Sequence, residues 1–556
     1  MNGAKLLLKC LKQLGVEIIF GYPGGAVLPI YDALYDENKI KHILTAHEQG
    51  AAHAADGYAR ATGKVGVVLA TSGPGATNTV TGIATAYADS VPMVVFTGQV
   101  PTAYIGKAAF QEVDITGITK PITKKNYIVE DVNSLPSIIK EAFKIAKEGR
   151  PGPVLVDIPK DIQIAEVYCE KEAFKENKED RNYSVNSKEL YLKIKEAVNL
   201  INSSKKPIIY AGGGVNASAA CKELTDFSEK IKAPVTCTLM ALGCFPGNHK
   251  YYTGMSGMHG TYCSNHAITN CDLLIAVGAR FSDRVTSKVE GFAPEAKIIH
   301  IDIDKVELGK NVNTDVPLNG DVKDVLNMLI EAVEEKKEGE WNLQIQKWKE
   351  KHPLKYNKTE GLNPEYVIEQ LYELTKGDCI ICTEVGQNQI WAAQYFKYLK
   401  ARTFISSGGL GTMGFGLGSA IGAAVGQPDK KVINVAGDGS FKMNSVELAT
   451  IARTKIPLIQ LVLNNNCLGM VRQWQDMFYK QRFSHTIFEN EVDFVKLGEA
   501  YGIKSMRITK NEEVKDILNT ALNLNEPVLI ECQIDAIERV LPIVPPGEVI
   551  NNMIGN

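Results

Sequence analysis

The sequence carries almost no excess charge of either sign: 61 Lys and Arg stand against 64 Asp and Glu, a formal net charge of −3. Without a basic or acidic surplus nothing draws the chain onto nucleic acid or an anionic membrane, so the expected partner is a small molecule. An apolar run of membrane-span character is also missing. Residues 65–88 and 403–428 are charge-free and long enough, but Gly, Ser, Thr, Asn and Pro interrupt both, and they read as buried strands and glycine-rich loops. Residues 1–15 lack the continuous apolar core of a secretory leader, because Lys9 and Lys12 break the Leu run, and a cytoplasmic location is expected. A disulfide framework is lacking too. The eleven cysteines are odd in number and scattered, which suits reduced thiols. Cys379 and Cys382 form a C-x-x-C, but no second pair completes a zinc site, and residues 379–383 read as a buried strand.

What is present is globular. At 556 residues, 45% hydrophobic and 22% charged, the chain can bury several cores. Strand-length apolar runs alternate with helical patterns, for example a strand over 65–70, a helix near 76–88 and a strand over 93–97, and this alternation signals parallel sheets. Two highly charged stretches, 166–189 and 334–358, separate three blocks. The expected fold class is therefore α/β, with three doubly wound parallel-sheet domains over residues 1–180, 187–340 and 358–556. In the middle block, strands over 207–210, 273–277 and 298–303 end in Gly212-Gly213-Gly214, Gly278 and an Asp-containing turn, as a nucleotide-holding sheet requires at its carboxyl edge. Alone this is weak, since Gly-Gly-Gly is not the G-x-G-x-x-G fingerprint and a triple glycine commonly makes only a turn.

The sharpest feature lies in the third block. A strand over 432–436 runs into the turn Gly437-Asp438-Gly439-Ser440, a helix follows over 445–452, and a second strand over 458–463 leads into Asn464-Asn465-Asn466. A right-handed strand–helix–strand crossover brings both loops to one sheet edge, so Asp438 and Asn465, 27 residues apart, can ligate one ion. Hard oxygen donors suit Mg²⁺ shared with a diphosphate. Gly437 and Gly439 admit a close backbone approach to phosphate oxygens, and Ser440 offers a hydroxyl donor. A lone G-D-G is a turn most often; the flanking strands and the Asn run favour the ligand-binding reading.

G-D-G-S followed by N-N at this spacing resembles the motif of the thiamine-diphosphate-dependent enzymes. Within them the whole chain resembles the acetolactate synthase family, through Phe20-Gly21-Tyr22-Pro23-Gly24-Gly25, Ala46-His47-Glu48, Phe110-Gln111-Glu112, Pro159-Lys160-Asp161, Gly257-Met258-His259-Gly260, Gly278-Ala279-Arg280-Phe281, Gly411-Thr412-Met413-Gly414 and Met470-Val471-Arg472-Gln473-Trp474. The resemblance implies a pyrimidine-binding first domain, a central FAD-binding domain and a diphosphate-binding third domain. It implies that Glu48 activates thiamine diphosphate at its aminopyrimidine ring; as a helix-start carboxylate, Glu48 on its own reads as a cap. It implies Mg²⁺ on Asp438, Asn465 and the backbone carbonyl at Cys467. Cofactor contacts at Gly386, Gln387, Gly411, Gly437, Gly439 and Ser440 follow, with Met413 bending the cofactor so that its reacting groups meet within one molecule. For FAD it implies Arg150, Gly212, Gly213, Gly214, Met258, His259, Gly278, Arg280, Arg284, Asp302 and Asp321. Substrate selection falls to Gly25, Gln111, Lys160, Arg284, Met470 and Trp474, with Arg284 pairing to a 2-oxo acid carboxylate and Trp474 contacting the extra methyl of 2-oxobutanoate.

The implied activity is decarboxylation of pyruvate and transfer of the hydroxyethyl unit to pyruvate or 2-oxobutanoate, the entry to branched-chain amino-acid synthesis. The implied assembly is a homodimer or homotetramer with active sites between chains, joined by a separate small regulatory subunit. Three alternatives stand beside it: a pyruvate oxidase with redox-active FAD, an FAD-free catabolic acetolactate synthase, and a silent cofactor-binding homologue. The chain departs from the family pattern at Asn388, where His is usual, at Ser282 for a common Asp, and at Gly418 for a common Pro.

Overall fold

The computed structural model describes residues 1–167, 187–356, 361–489 and 492–555. The expected domain limits at residues 180 and 358 lie outside them, as does most of the charged stretch 166–189. Three six-stranded sheets follow one another, and every strand pairing within them is parallel. The first holds β1 (Ile18–Gly21), β2 (Lys41–Leu44), β3 (Gly66–Ala70), β4 (Met93–Gln99), β5 (Lys125–Ile128) and β6 (Pro153–Pro159) in the order 2-1-3-4-6-5. The second holds β7 (Pro207–Ala211), β8 (Val235–Cys237), β9 (Tyr252–Met255), β10 (Leu273–Val277), β11 (Lys297–Asp302) and β12 (Val316–Asn319) in the order 12-11-10-7-8-9. The third holds β13 (Cys379–Thr383), β14 (Phe404–Ile405), β15 (Lys431–Gly437), β16 (Leu458–Asn464), β17 (Lys504–Ile508) and β18 (Val528–Gln533) in the order 14-13-15-16-18-17. The first and third orders are the same, a repeat that the sequence does not display. β3, β4, β6, β7, β10, β13 and β16 are buried along their whole length, because helices cover both faces of a parallel sheet and leave no polar side to alternate.

The helices that shape the site are α1 (Glu48–Thr62), α2 (Glu340–Lys351), α3 (Gln387–Tyr395), α4 (Gly416–Gly426), α5 (Asp438–Asn444) and α6 (Gly469–Phe478). The Ala-rich α1 is buried nearly all round, wedged between the first sheet and α4. Small residues make that crossing close: a Cβ on Gly57 would collide with the Ser419 carbonyl, and one on Gly422 with the Ala54 carbonyl. Glu447 closes the same joint, accepting from the backbone amides of Ala46 (3.1 Å) and His47 (3.0 Å) just before α1. Within the charged stretch 334–358, α2 packs on the middle block, where the Trp341 indole donates to the Pro207 carbonyl (3.0 Å). The chain also returns to the middle block at its far end, Asn265 Nδ2 donating to the Ile550 carbonyl at 2.9 Å.

Two local expectations change. Gly437-Asp438-Gly439-Ser440 is not a free turn; Gly437 ends β15 and Asp438 opens α5 at once. The single helix expected over 445–452 is a 3₁₀ turn Ser445–Glu447 followed by a helix Leu448–Thr454, set off from α5 where Asn444 leaves helical geometry at φ −135°. No helix among the described residues is long and apolar enough to cross a membrane. Gly422→Ala, which adds one methyl where backbone already stands, is expected to cost about 1–3 kcal/mol of stability by overpacking. Thermal or denaturant unfolding checks this, and an unshifted midpoint would remove the close crossing as a constraint.

Candidate functional site

β15 and β16 are neighbours in register, Gly437 opposite Leu463, so the ends of both strands deliver their next residues side by side. Asp438 starts α5 and Asn465 follows β16, and both are buried. The three asparagines divide the work. Asn464 Nδ2 donates to Glu531 on β18 (2.7 Å), Asn466 takes a left-handed φ of +51°, and Asn465 alone points into the site. Its Nδ2 donates to Gln387 Oε1 at 3.1 Å. The other end of that amide, its oxygen, faces Asp438 Oδ1 at 3.2 Å and the Cys467 carbonyl oxygen at 3.0 Å. Three acceptors that converge in this way repel one another unless the amide turns over or a cation sits among them, and one carboxylate, one amide and one carbonyl oxygen are a donor set for Mg²⁺. Burial, followed by the charge of Asp438, pushes the Cys467 thiol up to about 12.

Glu384, next after β13, is a fully buried residue that sequence reasoning missed. Its carboxylate accepts from Gly414 N (2.9 Å), Leu417 N (3.1 Å) and the Ser440 hydroxyl (2.7 Å), tying the segment that carries Met413 to the start of α5. Burial raises its pKa and these donors oppose the rise. The Ser440 hydroxyl, expected to point at a diphosphate, is therefore engaged with Glu384. Asp89 is a second missed anchor: its carboxylate accepts from Gly408 N (3.1 Å) and Gly409 N (2.7 Å) and pairs with Arg60 (3.0 Å). Both acids sit just beyond an apolar element, at the end of β13 and of the helix Val80–Ala88, and that placement is the only signal the sequence offers.

A cavity of about 1470 Å³ joins this edge to the edge of the middle sheet. From the third block it is lined by Gly386, Gln387, Gly411, Met413, Gly437, Asp438, Gly439, Ser440, Asn465, Cys467, Met470 and Trp474. From the middle block come Gly212, Gly213, Gly214, Met258, His259, Gly278, Arg280, Arg284, Asp302 and Asp321, with Arg150 from the first. Gly212 and Gly278 also serve packing: Gly278 has φ +59°, and a Cβ on Gly212 would strike its carbonyl. Burial pushes Asp302 up to about 6 and His259 down to about 4. Asp321 caps the helix Val322–Ala332 through Lys323 N (2.9 Å), and Arg150 pairs with Glu307 (3.0 Å). Arg284 is largely exposed at the cavity, its helix start capped by Ser282 (3.4 Å). Trp474 meets Phe478 edge-on at 5.5 Å. Of the remaining departures, Asn388 ties β13 to β15 by donating to the carbonyls of Glu384 (2.9 Å) and Val435 (2.8 Å), and Gly418 lies against His53 of α1.

Gly25, Glu48, Gln111 and Lys160 do not line this cavity; they stand on the carboxyl edge of the first sheet. Glu48 opens α1 behind its N-cap His47 and accepts from Asn78 Nδ2 at 3.0 Å. A Cβ on Gly75 would lie 3.2 Å from Glu48, and one on Gly73 would lie 2.9 Å from Gln111, so the turn after β3 gathers the two. Gln111 has φ +60°, and its segment is held from below: Asp157 accepts from Thr97 (2.7 Å) and Gln99 (2.9 Å), and Gln99 also donates to the Val113 carbonyl (2.9 Å).

Family models match in three places: "Thiamine pyrophosphate enzyme, N-terminal TPP binding domain" over residues 1–118, the central domain over 194–329 and the C-terminal TPP binding domain over 384–532. The chain is 50% identical to a probable acetolactate synthase large subunit of Methanocaldococcus jannaschii, covering 100% of this chain and 95% of that protein. It is 47% identical to the acetolactate synthase large subunit of Lactococcus lactis, over 100% and 96% respectively. It is 45% identical to the acetolactate synthase isozyme 2 large subunit of Escherichia coli, over 98% of both.

Burial raises the Asp157 carboxyl to about 7, so between the ordinary carboxylate range and that value the folded chain holds a proton that the unfolded chain has released. Stability from this group is complete at low pH and falls as pH rises through about 7. Asp157→Asn, which cannot ionise, is expected to flatten the pH dependence of the melting temperature between pH ~4 and ~7. An unchanged slope would place the titration elsewhere.

Proposed function

The chain belongs to the thiamine pyrophosphate enzymes, among the acetolactate synthase large subunits, and from that membership we propose how its own residues run the carboligation of 2-oxo acids. The observation that carries the reading is the convergence of Asp438 Oδ1, Asn465 Oδ1 and the Cys467 carbonyl at the cavity wall. Thiamine diphosphate supplies the electron sink that allows pyruvate to lose CO₂ and its two-carbon unit to be passed on. Asp438, Asn465 and Cys467 hold Mg²⁺ and through it the diphosphate. Gly386, Gln387, Gly411, Gly437, Gly439 and Ser440 line the place of that group, and Met413, fixed between anchored neighbours, props the cofactor. Glu48 holds and moves a proton at the aminopyrimidine nitrogen.

Arg284 pairs with the carboxylate of the incoming acid. Gly25, Gln111 and Lys160 complete the pocket from the first block, and Met470 and Trp474 from α6. Discrimination by Trp474 of one methylene is worth about 1–3 kcal/mol, tens-fold to hundreds-fold for 2-oxobutanoate over pyruvate. FAD occupies the middle-sheet half of the cavity, where the close glycine turns, Met258, His259, Arg280 and the buried Asp302 fit an extended, hydroxyl-rich ligand, with Arg150 and Asp321 at the rim. The names of the relatives favour the carboligase over the pyruvate oxidase alternative.

Because Gly25, Glu48, Gln111 and Lys160 stand apart from the cavity of their own chain, a second copy supplies them, in a homodimer or homotetramer. The relatives are named large subunits, which fits a separate smaller regulatory partner. Ten cysteines among the described residues are unpaired, in keeping with a cytoplasmic setting.

Carbon NMR after incubation with labelled pyruvate, thiamine diphosphate, Mg²⁺ and FAD is expected to show acetolactate; acetate would transfer the reading to an oxidase. Glu48→Gln is expected to lower kcat by about 10²–10⁴ with an unchanged melt, and near-normal turnover would remove its role. Mixing inactive Glu48→Gln with inactive Asp438→Asn chains is expected to restore activity, since a mixed dimer rebuilds one intact site. Failure to complement under subunit exchange would place both groups on one chain.

A further inference from the structure

An amide carries oxygen at one end and nitrogen at the other, and Asn465 serves a cation only if its oxygen faces Asp438. Its nitrogen faces Gln387 Oε1 (3.1 Å), and Gln387 is itself an amide that could turn either way. What prevents this is the backbone. Gln387 Nε2 donates to the Glu538 carbonyl (2.9 Å) and to Gln473 Oε1 (2.9 Å). Gln473 in turn is held by both polar groups of one residue: its Oε1 accepts from Val540 N (2.8 Å) and its Nε2 donates to the Val540 carbonyl (3.0 Å). A backbone N–H can only donate and a backbone carbonyl can only accept, so the polarity of the line is set at Val540 and, for Gln387, also at the Glu538 carbonyl. It runs Val540, Gln473, Gln387, Asn465, and it ends with the Asn465 oxygen turned toward Asp438 and the Cys467 carbonyl.

The line has a second requirement. A Cβ on Gly469, the first residue of α6, would collide with Gln387 Oε1 and lie 2.7 Å from Asn465 Nδ2, so glycine there leaves room for the Gln387–Asn465 hydrogen bond. Gln473 sits on the same helix as Met470 and Trp474, one residue before the Trp. The helix that lines the substrate end of the cavity and the line that orients the metal ligand therefore meet at one side chain, itself only 2% exposed.

Resting on the Mg²⁺ reading of the preceding section, we propose that Gln473 is a positioning residue that, through Gln387 and together with the Glu538 carbonyl, sets which end of the Asn465 amide faces the metal. It touches neither metal nor substrate. Its contribution is to exclude the flipped amide, in which an N–H would point at the cation.

The test is Mn²⁺ binding in the presence of thiamine diphosphate, followed as loss of the free-ion electron paramagnetic resonance signal on the full-length assembled protein. Gln473→Met and Gln473→Leu, two apolar side chains of different shape, are expected to weaken Mn²⁺ by about tenfold or more, the range for removing a partner that orients a metal ligand. In an Asn465→Asp background both ends of the side chain are oxygen and one of them meets Gln387 Oε1, so the same substitutions, which loosen the hold on Gln387, are expected to leave Mn²⁺ affinity unchanged or to raise it. Undiminished binding by the Gln473 variants in the native background overturns the proposal. An equal loss in both backgrounds overturns it too, since that is a packing defect, and so does loss of the cooperative melt by both variants, which makes Gln473 a folding element. If the native chain itself binds no Mn²⁺, the metal reading fails first and the proposal with it.

Discussion

The parallel pairing of β15 with β16 is the constraint on which the rest depends. Two neighbouring parallel strands joined by a right-handed crossover release their chains at the same edge, about 5 Å apart. That spacing brings a carboxylate, an amide and a backbone carbonyl together without any long loop to position them. The surrounding elements hold this edge still. Glu384 clasps Gly414 and Ser440, Asn388 ties β13 to β15, and Asn464 ties β16 to β18.

The repeat of strand order in the first and third sheets gives the chain two carboxyl edges of one design, which it uses differently. The third edge gathers a carboxylate, an amide and a carbonyl oxygen and faces a large cavity shared with the middle block. The first carries Glu48 and Gln111 around the turn after β3 and faces outward, alongside exposed Tyr22, Leu28, Tyr104 and Phe110. The α1–α4 crossing holds both edges in one body, and its close approach depends on glycine and alanine along both helices. A buried acid, Glu447, meets the amides before α1 at that joint, so the start of α1, and Glu48 with it, is registered against the third block.

Much of this was legible. The strands at 65–70, 93–97, 273–277 and 379–383 stand within a residue or two of their expected places, because buried parallel strands are short apolar runs bounded by glycine or acid. The C-x-x-C proved to lie in a buried strand. Less legible were the helix that begins inside Gly437-Asp438-Gly439-Ser440, the packing of α2 on the middle block, and the return of the chain near Ile550. Composition marks a charged or glycine-rich segment as a linker or turn, whereas a capping residue or one well-placed Trp decides otherwise.

By itself the sequence determined the layer architecture, the pairing of a metal-type loop with an asparagine run, and the residue types available for chemistry, since all of these follow from periodicity and side-chain identity within short windows. Only the tertiary structure decided where the Ser440 hydroxyl points, which asparagine of three enters the site, which way its amide turns, and which candidates share a cavity. Those outcomes depend on hydrogen-bond polarity passed between residues such as Val540, Gln473, Gln387 and Asn465, up to 153 positions apart, and no local pattern encodes a direction carried across that distance.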